Sequence, residues 1–494
     1  MNLLTPLFVL ISFATMFGVN GVARRSPAHL STARRFVSTH FLLPTPQGSS
    51  DVSLTTVRRQ DRDARNARGV MTRLSPEEHL RRANIYHVNR AFDEAREHWQ
   101  ALINYYPDDP RVAEALLGIG RSNFQSRHYS EAYDAYDRLA RNYPSTKEGR
   151  EGLNFSAASL LRLGKASEAA ERYIEYVNRF PDGERAESAH LNAIDSLREA
   201  GRLDDAIAWI ARTRQRFPGT PTETNSIFAQ LRLEISEGSW KRAVGTANEL
   251  SKRSFQKGVA TSAPEVAYLR AYSLDRAGNR EDAINAYLGV PAGIDSYYGW
   301  LASDRLATLA DNNRRALVDA RINRTWSQAT AVADRYPAPY RQVISSAAKA
   351  RKLDPRFVLA IIRQESVFRP LAKSPAGARG LLQLTIDAAQ KYATNAGLAG
   401  VQENQLYQAE TSIRLGSEYL GELSAMFPNL PEAMAASYNG GEDNVVRWVK
   451  RAKQKDSGVF TSEIGFDETK DYVQKVMNNY RVYRQLYTPE LTRR

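Results

Sequence analysis

Residues 129–144 read YSEAYDAYDRLARNYP, and recognisable copies of this stretch recur along the chain at intervals of 37 residues. The aromatic–proline end of the stretch returns in four pairs, Tyr106-Pro107, Tyr143-Pro144, Phe180-Pro181 and Phe217-Pro218. An alanine near its start keeps the same register, at Ala95, Ala132, Ala169, Ala206 and Ala243, with a sixth copy at Ala283 after 40 residues. Such regular spacing identifies a structural repeat.

Each repeat predicts two amphipathic helices. The small alanine suits a position where two helices approach closely, and the proline ends the second helix because it cannot donate a backbone hydrogen bond. The period and these positions resemble tetratricopeptide-like repeats, whose units bury their apolar faces by stacking on neighbours. We therefore expect an all-α fold with an α-solenoid superhelix over residues 76–335, less regular after residue 296. A solenoid usually binds protein or acts as a scaffold.

The chain is long enough for a second domain after the repeats. It has 494 residues, of which 42% are hydrophobic and 25% charged, enough to bury at least two cores. The repeat fades at Pro337 and Pro339, which interrupt the helical pattern. We expect residues 336–494 to form one compact α-helical domain.

The residue types restrict the possible chemistry. The sequence has no cysteine and only seven scattered histidines, which excludes disulfides, a thiol nucleophile and thiolate zinc sites and argues against a histidine-built metal centre. We expect catalysis by oxygen groups, with no metal and no organic cofactor.

The N-terminus predicts export. Residues 3–19 are apolar and are followed by Gly21-Val22-Ala23, a small-residue pattern that often precedes a cleavage site, so we expect a signal peptide over residues 1–23. No basic residue precedes the apolar run and Arg24-Arg25 follows it, which leaves an uncleaved anchor or a misplaced start as alternatives. No later stretch has the length and apolar character of a membrane span.

Residues 24–75 predict a flexible basic linker. They contain ten arginines against Asp51, Asp61 and Asp63, a net charge of +7, which is more than half of the whole chain's +13. The segment lacks a periodic apolar pattern, so a solvated tether is the favoured interpretation and contact with an anionic surface the alternative. Nucleic-acid binding is disfavoured, because the charge is concentrated here and no nucleic-acid module is recognisable.

One carboxyl in the C-terminal region requires explanation. Asp354-Pro355 predicts a helix start and Pro370 its end. The apolar stripe of this helix consists of Val358, Ile361 and Ile362, and its next position is Glu365. A buried carboxyl has a raised pKa, which lets a general acid hold its proton near neutral pH. The alternative, favoured by periodicity alone, is a helix-end glutamate that faces solvent or pairs with Arg363 or Arg369.

Two further stretches differ from ordinary packing segments. Residues 376–383, AGARGLLQ, form a glycine-rich loop before a helix capped by Thr385, and such a loop lets backbone amides approach a ligand. Residues 437–441, SYNGG, end a helix that begins at Pro431, and a simple C-cap explains them equally well.

Three of these motifs together resemble a known family. Gln364-Glu365-Ser366, Gly380-Leu381-Leu382-Gln383 and Ser437-Tyr438-Asn439 are similar, in order and spacing, to the Glu-Ser, Gly-Leu-Met-Gln and Ala-Tyr-Asn motifs of soluble lytic murein transglycosylases. The resemblance covers residues 336–487, and the solenoid matches the organisation of the large members. It implies a lysozyme-like α-helical catalytic domain, a periplasmic location and peptidoglycan glycan strands as substrate.

The resemblance also implies a mechanism centred on Glu365. In the family this glutamate protonates the glycosidic oxygen between N-acetylmuramic acid and N-acetylglucosamine. As a carboxylate it then takes the proton of the muramoyl C6 hydroxyl, which closes a 1,6-anhydro ring without water. A nucleophile already held on the sugar has a high effective concentration, so a second carboxylate is unnecessary.

The same resemblance implies the binding residues. Ser366 would orient Glu365 or the acetamido group, Gln383 and Asn439 would bind the glycan through their amides, and Tyr438 would pack beside the carboxyl. Leu382 replaces the family's methionine and Ser437 its alanine. Leucine keeps the apolar volume, so Leu382 would still support the acetyl methyl group.

A later segment, Glu468-Thr469-x-x-Tyr472-Val473, looks like the family segment in which a glutamate contacts saccharide or peptide. Glu468 is therefore a predicted binding residue, with a surface acid at a helix start as an equal alternative.

Two rival functions remain open at this point. Goose-type lysozymes have a similar fold and an analogous glutamate but hydrolyse the bond, which makes a muramidase the first rival. A solenoid scaffold that recognises peptidoglycan or envelope proteins through an inactive module is the second. The presence of Glu365, Gln383, Tyr438 and Asn439 argues against degeneration of the site.

Overall fold

The computed structural model describes residues 50–66, 69 and 71–494. Over these ranges the regular elements are helices, without a strand, which confirms the all-α prediction. The predicted signal peptide, residues 1–23, and residues 24–49 of the linker lie outside the described residues.

The first ten helices are α1 (Ser50–Asp63), α2 (Pro76–Val88), α3 (Phe92–Tyr105), α4 (Val112–Gln125), α5 (Tyr129–Asn142), α6 (Lys147–Arg162), α7 (Ala166–Arg179), α8 (Ala186–Glu199), α9 (Leu203–Arg216) and α10 (Pro221–Ser236). The next six are α11 (Trp240–Leu250), α12 (Ala263–Arg276), α13 (Arg280–Gly289), α14 (Tyr297–Leu309), α15 (Asn312–Ala331) and α16 (Arg341–Ala350). The last seven are α17 (Pro355–Ser366), α18 (Ile386–Ala393), α19 (Ala409–Met426), α20 (Pro431–Gly440), α21 (Glu442–Ala452), α22 (Ser457–Ser462) and α23 (Asp467–Leu486), and 3-10 turns cover Ala333–Arg335 and Glu403–Tyr407.

The repeat register confirms the predicted helical hairpins. Helices α3, α5, α7, α9, α11 and α13 each begin three residues before an alanine of the repeated series. All six alanines are 0% exposed, as expected where helices approach closely. The four aromatic residues of the aromatic–proline pairs each follow directly on the end of a helix, so the proline stops the second helix of the unit.

The chain divides into two compact units, one ending at Ala229 and the other beginning at Gln230. In the first unit α1 lies within the segment expected to be a flexible linker. Val57 of α1 is buried in the core of the first repeats, and Asp61 accepts hydrogen bonds from Arg82 and Tyr86. Leu54, Val57 and Asp61 share one helix face, and this short stripe stabilises a helix that composition does not indicate.

In the second unit the late repeat-region helices share a core with the C-terminal helices. The Tyr297 hydroxyl on α14 lies 2.9 Å from Thr461 Oγ1 on α22. Arg232 on α10 and Arg451 on α21 each lie 3.2 Å from the buried Glu463 carboxylate. Among the described residues, no helix combines the length and apolar character that crossing a bilayer requires.

Helix α17 forms where the sequence predicts it but ends earlier. Asp354 caps it by accepting the backbone N–H of Arg356 at 2.9 Å. The helix ends at Ser366 rather than at Pro370, because Val367 and Phe368 adopt left-handed backbone angles, with φ of 50° and 59°. This early end places Glu365 in the final turn of the helix.

Candidate active site

Glu365 contacts a tyrosine that lies 107 residues further along the chain. The Tyr472 hydroxyl, on α23, donates a hydrogen bond to Glu365 Oε1 at 2.6 Å. Glu365 is half-buried and Tyr472 is only 5% exposed. Burial, and then the negative charge of Glu365, raise the pKa of Tyr472 well above its usual value. The phenol therefore stays protonated and acts as a neutral donor to the carboxylate.

Tyr438 lies close to the same carboxyl, but its hydroxyl donates to a backbone carbonyl of the glycine-rich loop. The hydroxyl donates to the Leu382 carbonyl at 2.7 Å, and the ring stacks on Tyr419 with centroids 5.1 Å apart. Burial and the charge of Glu365 raise the pKa of Tyr438 well above its usual value. Tyr438 thus links the helix that ends in the SYNGG motif to the glycine-rich loop.

The glycine-rich loop has a fixed backbone. Gly380 has φ of +78°, and a Cβ there would lie 1.9 Å from the Leu406 carbonyl oxygen, so only glycine fits. Gln383, which also has a positive φ, donates its side-chain amide to the carbonyls of Ala372 at 3.1 Å and Gly380 at 2.8 Å. Within the described residues the Gln383 side-chain oxygen has no hydrogen bond, so it remains an acceptor at this loop.

Two of the predicted binding residues are fully involved in packing. Leu382 is buried against Gly416, where an added Cβ would lie 2.4 Å from Leu382 Cδ1. Ser366 is buried, and its hydroxyl donates to the Ile362 carbonyl at 3.1 Å within α17. Both residues therefore stabilise the neighbouring backbone from inside the protein, and the Leu382 side chain is not exposed at the surface.

Asn439, near the end of α20, contacts the first turn of α23, which carries Glu468. The Asn439 side-chain oxygen accepts a hydrogen bond from the Thr469 hydroxyl at 2.6 Å, and Asn439 is buried. Glu468 is exposed overall, but its carboxyl lies partly against protein, and this partial burial, together with the negative charge of Asp471, raises its pKa. The hydrogen bond between Thr469 and Asn439 therefore links the end of α20 to the first turn of α23, where Glu468 is exposed.

The structure brings Glu365, Tyr438 and the Leu382 carbonyl together, with Tyr472 completing the group. No role for Tyr472 was predicted, although it stands four residues after Glu468 in the quoted segment. The spacing of Thr469 and Tyr472 places both on one face of a helix, but it does not indicate the contact with Glu365. In the described part of the chain, no group of three or more histidine, aspartate or glutamate side chains is arranged to hold a metal ion.

Comparison with known proteins supports the family resemblance. Residues 342–460 match the family described as transglycosylase SLT domain. Residues 80–145 and 157–221 match the family described as tetratricopeptide repeat. The two matches fall on the segments where the motifs and the 37-residue period were found, which confirms both resemblances.

Individual relatives match over the length of one domain. A putative soluble lytic murein transglycosylase of Haemophilus influenzae is 37% identical over 153 residues, which are 31% of this chain and 26% of that protein. The soluble lytic murein transglycosylase of Escherichia coli strain K12 is 31% identical over 153 residues, 31% of this chain and 24% of the relative. The matched segment thus spans about a quarter of the length of these relatives.

A solved structure matches over a longer range. The complex of a 70-kDa soluble lytic transglycosylase with bulgecin A aligns over 89% of this chain and 90% of that one, with 17% identity and a TM-score of 0.48. The chain therefore contains segments that match tetratricopeptide repeats, at residues 80–145 and 157–221, followed by a segment that matches a transglycosylase SLT domain, at residues 342–460.

Proposed function

We propose that the chain is a lytic transglycosylase that cleaves the β-1,4 bond between N-acetylmuramic acid and N-acetylglucosamine in peptidoglycan and leaves 1,6-anhydromuramic ends. The observation that carries the proposal is the half-buried Glu365 carboxyl, held at one oxygen by the protonated Tyr472 hydroxyl at 2.6 Å, inside a domain that matches the SLT family. The matched relatives of H. influenzae and E. coli are named as acting on murein.

In the proposed reaction one carboxyl acts first as acid and then as base. Protonated Glu365 gives its proton to the glycosidic oxygen, the C1–O bond breaks, and N-acetylglucosamine leaves with a C4 hydroxyl. The Glu365 carboxylate then accepts the proton of the muramoyl C6 hydroxyl as its oxygen bonds to C1. The enzyme returns to its starting protonation state, and no water is consumed. The intramolecular attack gains from the proximity of O6 to C1.

Tyr472 would orient the carboxyl, because its hydroxyl donates to Glu365 Oε1 at 2.6 Å. A neutral hydrogen-bond donor also stabilises the carboxylate that forms after proton transfer, without adding a charge to the site. Tyr438 would hold the glycine-rich loop beside the carboxyl through its bond to the Leu382 carbonyl.

The other predicted site residues would bind or support the glycan. The Gln383 oxygen would accept an N–H of the substrate, since the amide nitrogen is already engaged with the loop backbone. Asn439, near the end of α20, would bind the glycan through its amide, and Glu468, in the first turn of α23, would contact saccharide or peptide. Ser366 would fix the last turn of α17, and Leu382 would support the glycine-rich loop from below by packing against Gly416.

We also propose export and a periplasmic location. Support comes from the apolar residues 3–19 with the small residues that follow, and from a substrate that lies in the cell envelope. The repeats would provide a surface for envelope protein partners, as helical repeats commonly do. The proposal requires no metal, no organic cofactor and no nucleic acid.

Mass spectrometry of the products released from purified sacculi tests the function. Anhydromuramic ends support the proposal. Reducing muramic ends would instead indicate a goose-lysozyme-like muramidase, and binding without any released product would indicate an inactive scaffold. Parallel digestion with a Glu365→Gln variant separates turnover by this site from turnover by a contaminating enzyme.

A further inference from the structure

The first turns of α23 carry two residues that contact the site. Thr469 donates to Asn439 Oδ1, and Tyr472 donates to Glu365 Oε1, both at 2.6 Å. They lie within four residues of one helix, so a rotation or shift of this segment moves both contacts together. The placement of Tyr472 against Glu365 therefore depends on what fixes the start of α23.

Lys470, between these two residues, reaches a repeat-region helix. Its Nζ lies 3.2 Å from Glu265 Oε1 on α12 and donates to the Ala260 carbonyl at 3.0 Å. Glu265 is 1% exposed and Lys470 is 7% exposed, so the ion pair is removed from solvent. A buried ion pair is retained only with good geometry and additional hydrogen bonds.

Those additional hydrogen bonds are present on the glutamate. Glu265 Oε1 accepts the Tyr298 hydroxyl at 2.8 Å, and Oε2 accepts the Thr261 hydroxyl at 2.9 Å. Two helices and the loop before α12 thus hold this carboxylate in one position. A carboxylate fixed in this way defines a single place for the Lys470 ammonium.

Two other polar contacts between the repeat-region helices and the C-terminal helices lie outside the first two turns of α23. The Tyr268 hydroxyl on α12 donates at 2.9 Å to Asp456, the capping residue of α22. Arg481 donates to the Tyr297 carbonyl at 3.3 Å, but from a position more than two turns beyond Tyr472. The Glu265–Lys470 pair is the contact located between Thr469 and Tyr472.

We propose that Glu265 and Lys470 are positioning residues, through which the repeat region sets the rotation of α23 and so holds the Tyr472 hydroxyl on Glu365. The kinetic consequence rests on the proposed function. The geometric consequence, the place of Tyr472, is independent of it. On this account the repeat region contributes to the chemical step at the site in addition to any partner it binds.

The neutral pair Glu265→Gln with Lys470→Met tests this role. Glutamine keeps an acceptor for Tyr298, and methionine keeps the length of the lysine side chain, so we expect the double variant to fold with a melting temperature within a few degrees of the parent. We expect kcat on a short glycan to fall about tenfold with KM changed less than twofold. We also expect its pH profile to resemble that of Tyr472→Phe. Lys470→Arg, which keeps the ion pair, should restore most of the rate.

Tyr268→Phe is the matched control, because it removes a contact of the same helix, α12, that does not involve α23. It should leave kcat and the pH profile unchanged. A loss of melting temperature with unchanged kcat and pH profile in the double variant would show a merely structural pair and overturn the proposal. If the double variant does not fold, Glu265→Asp, which keeps the charge but withdraws the carboxylate by one methylene, carries the same test, with a smaller expected loss of kcat.

An NMR measurement decides the geometric claim with or without turnover. In protein labelled with 13C at tyrosine Cζ, the resonance missing from Tyr472→Phe identifies Tyr472. We expect this resonance to move in the double variant and to stay in place in Tyr268→Phe. An unmoved resonance in the double variant overturns the inference. Absence of product from the unmodified chain, by contrast, would overturn the proposed function and leave this measurement valid.

Discussion

At the scale of single residues, the hydrogen bond from Tyr472 to Glu365 determines how the carboxyl is oriented. A protonated phenol 2.6 Å from one carboxylate oxygen orients the group and favours its ionised form. Because burial raises the pKa of Tyr472 well above its usual value, this donor does not titrate in the pH range of a cell. In the proposed mechanism, the carboxyl that Tyr472 orients is the group that exchanges a proton with the substrate.

Glu365→Gln should abolish turnover without unfolding the protein. Glutamine keeps the shape and an acceptor for the Tyr472 hydroxyl but cannot give a proton, so we expect a loss on the order of 10³-fold or more in kcat on sacculi. Glycan binding, measured by co-sedimentation with sacculi, should persist. Glu410→Gln, an exposed carboxyl of α19, serves as control and should keep full activity. Substantial turnover by Glu365→Gln would remove the mechanism.

Tyr472→Phe should reduce kcat about tenfold and move the alkaline limb of the pH–rate profile to higher pH. The alkaline limb moves to higher pH because Tyr472 donates to the carboxylate, so loss of this donor favours the protonated form of Glu365. Tyr483→Phe, which removes a hydroxyl of the same helix bonded to the Pro337 carbonyl at 3.0 Å, should leave the profile in place. A profile that does not move in Tyr472→Phe would contradict the assigned contact.

The sequence indicates only part of the site. Glu365 is found because it continues an apolar stripe and belongs to a recognisable motif. Its partner Tyr472 is 107 residues away, and no local pattern connects a helix end with the second turn of a distant helix. The hydrogen bond of the Tyr438 hydroxyl is equally unpredictable, because its partner, the Leu382 carbonyl, comes near only in the folded chain.

At the scale of elements, repetition makes the helices predictable. Six helix starts and four helix ends follow from the alanine and aromatic–proline series, because each unit has the same residue types at the same positions. α1 is not predictable in this way, since it occurs once and its face contains only a short apolar stripe. The end of α17 is also earlier than expected, because left-handed angles at Val367 and Phe368 break the helix before Pro370.

Ala169→Leu tests the role of the repeated alanine. Ala169 is completely buried at the start of α7, and a leucine there must displace the facing helix, so we expect a loss of about 1–3 kcal/mol in the free energy of unfolding. Glu168→Leu, at the exposed neighbouring position, should cost far less. Thermal and urea unfolding of both variants provide the comparison, and equal losses would contradict close packing at the alanine.

At the scale of the whole molecule, buried histidines predict acid sensitivity of the repeats. Burial, reinforced by nearby positive charge, lowers the pKa of His79, His87 and His190 to about 4 in each case. The unfolded chain binds these protons with a pKa near 6.5, so between about pH 6.5 and 4 it binds more protons than the folded chain. The free energy of unfolding should therefore decrease as the pH falls through this range.

Urea unfolding at pH 7 and pH 5 checks this expectation. His87→Phe should reduce the pH dependence, because it removes one buried group that charges only on unfolding. An unfolding free energy that is the same at both pH values, or that increases at pH 5, would contradict the buried neutral state of these histidines.

Digestion of purified sacculi in 18O-labelled water tests the central claim most directly. If the muramoyl C6 hydroxyl attacks C1, the new muramic ends are anhydro sugars that carry no 18O, and mass spectrometry should find them one water lighter than the hydrolytic product. Reducing ends that contain one 18O atom would show that water is the nucleophile and would contradict the account.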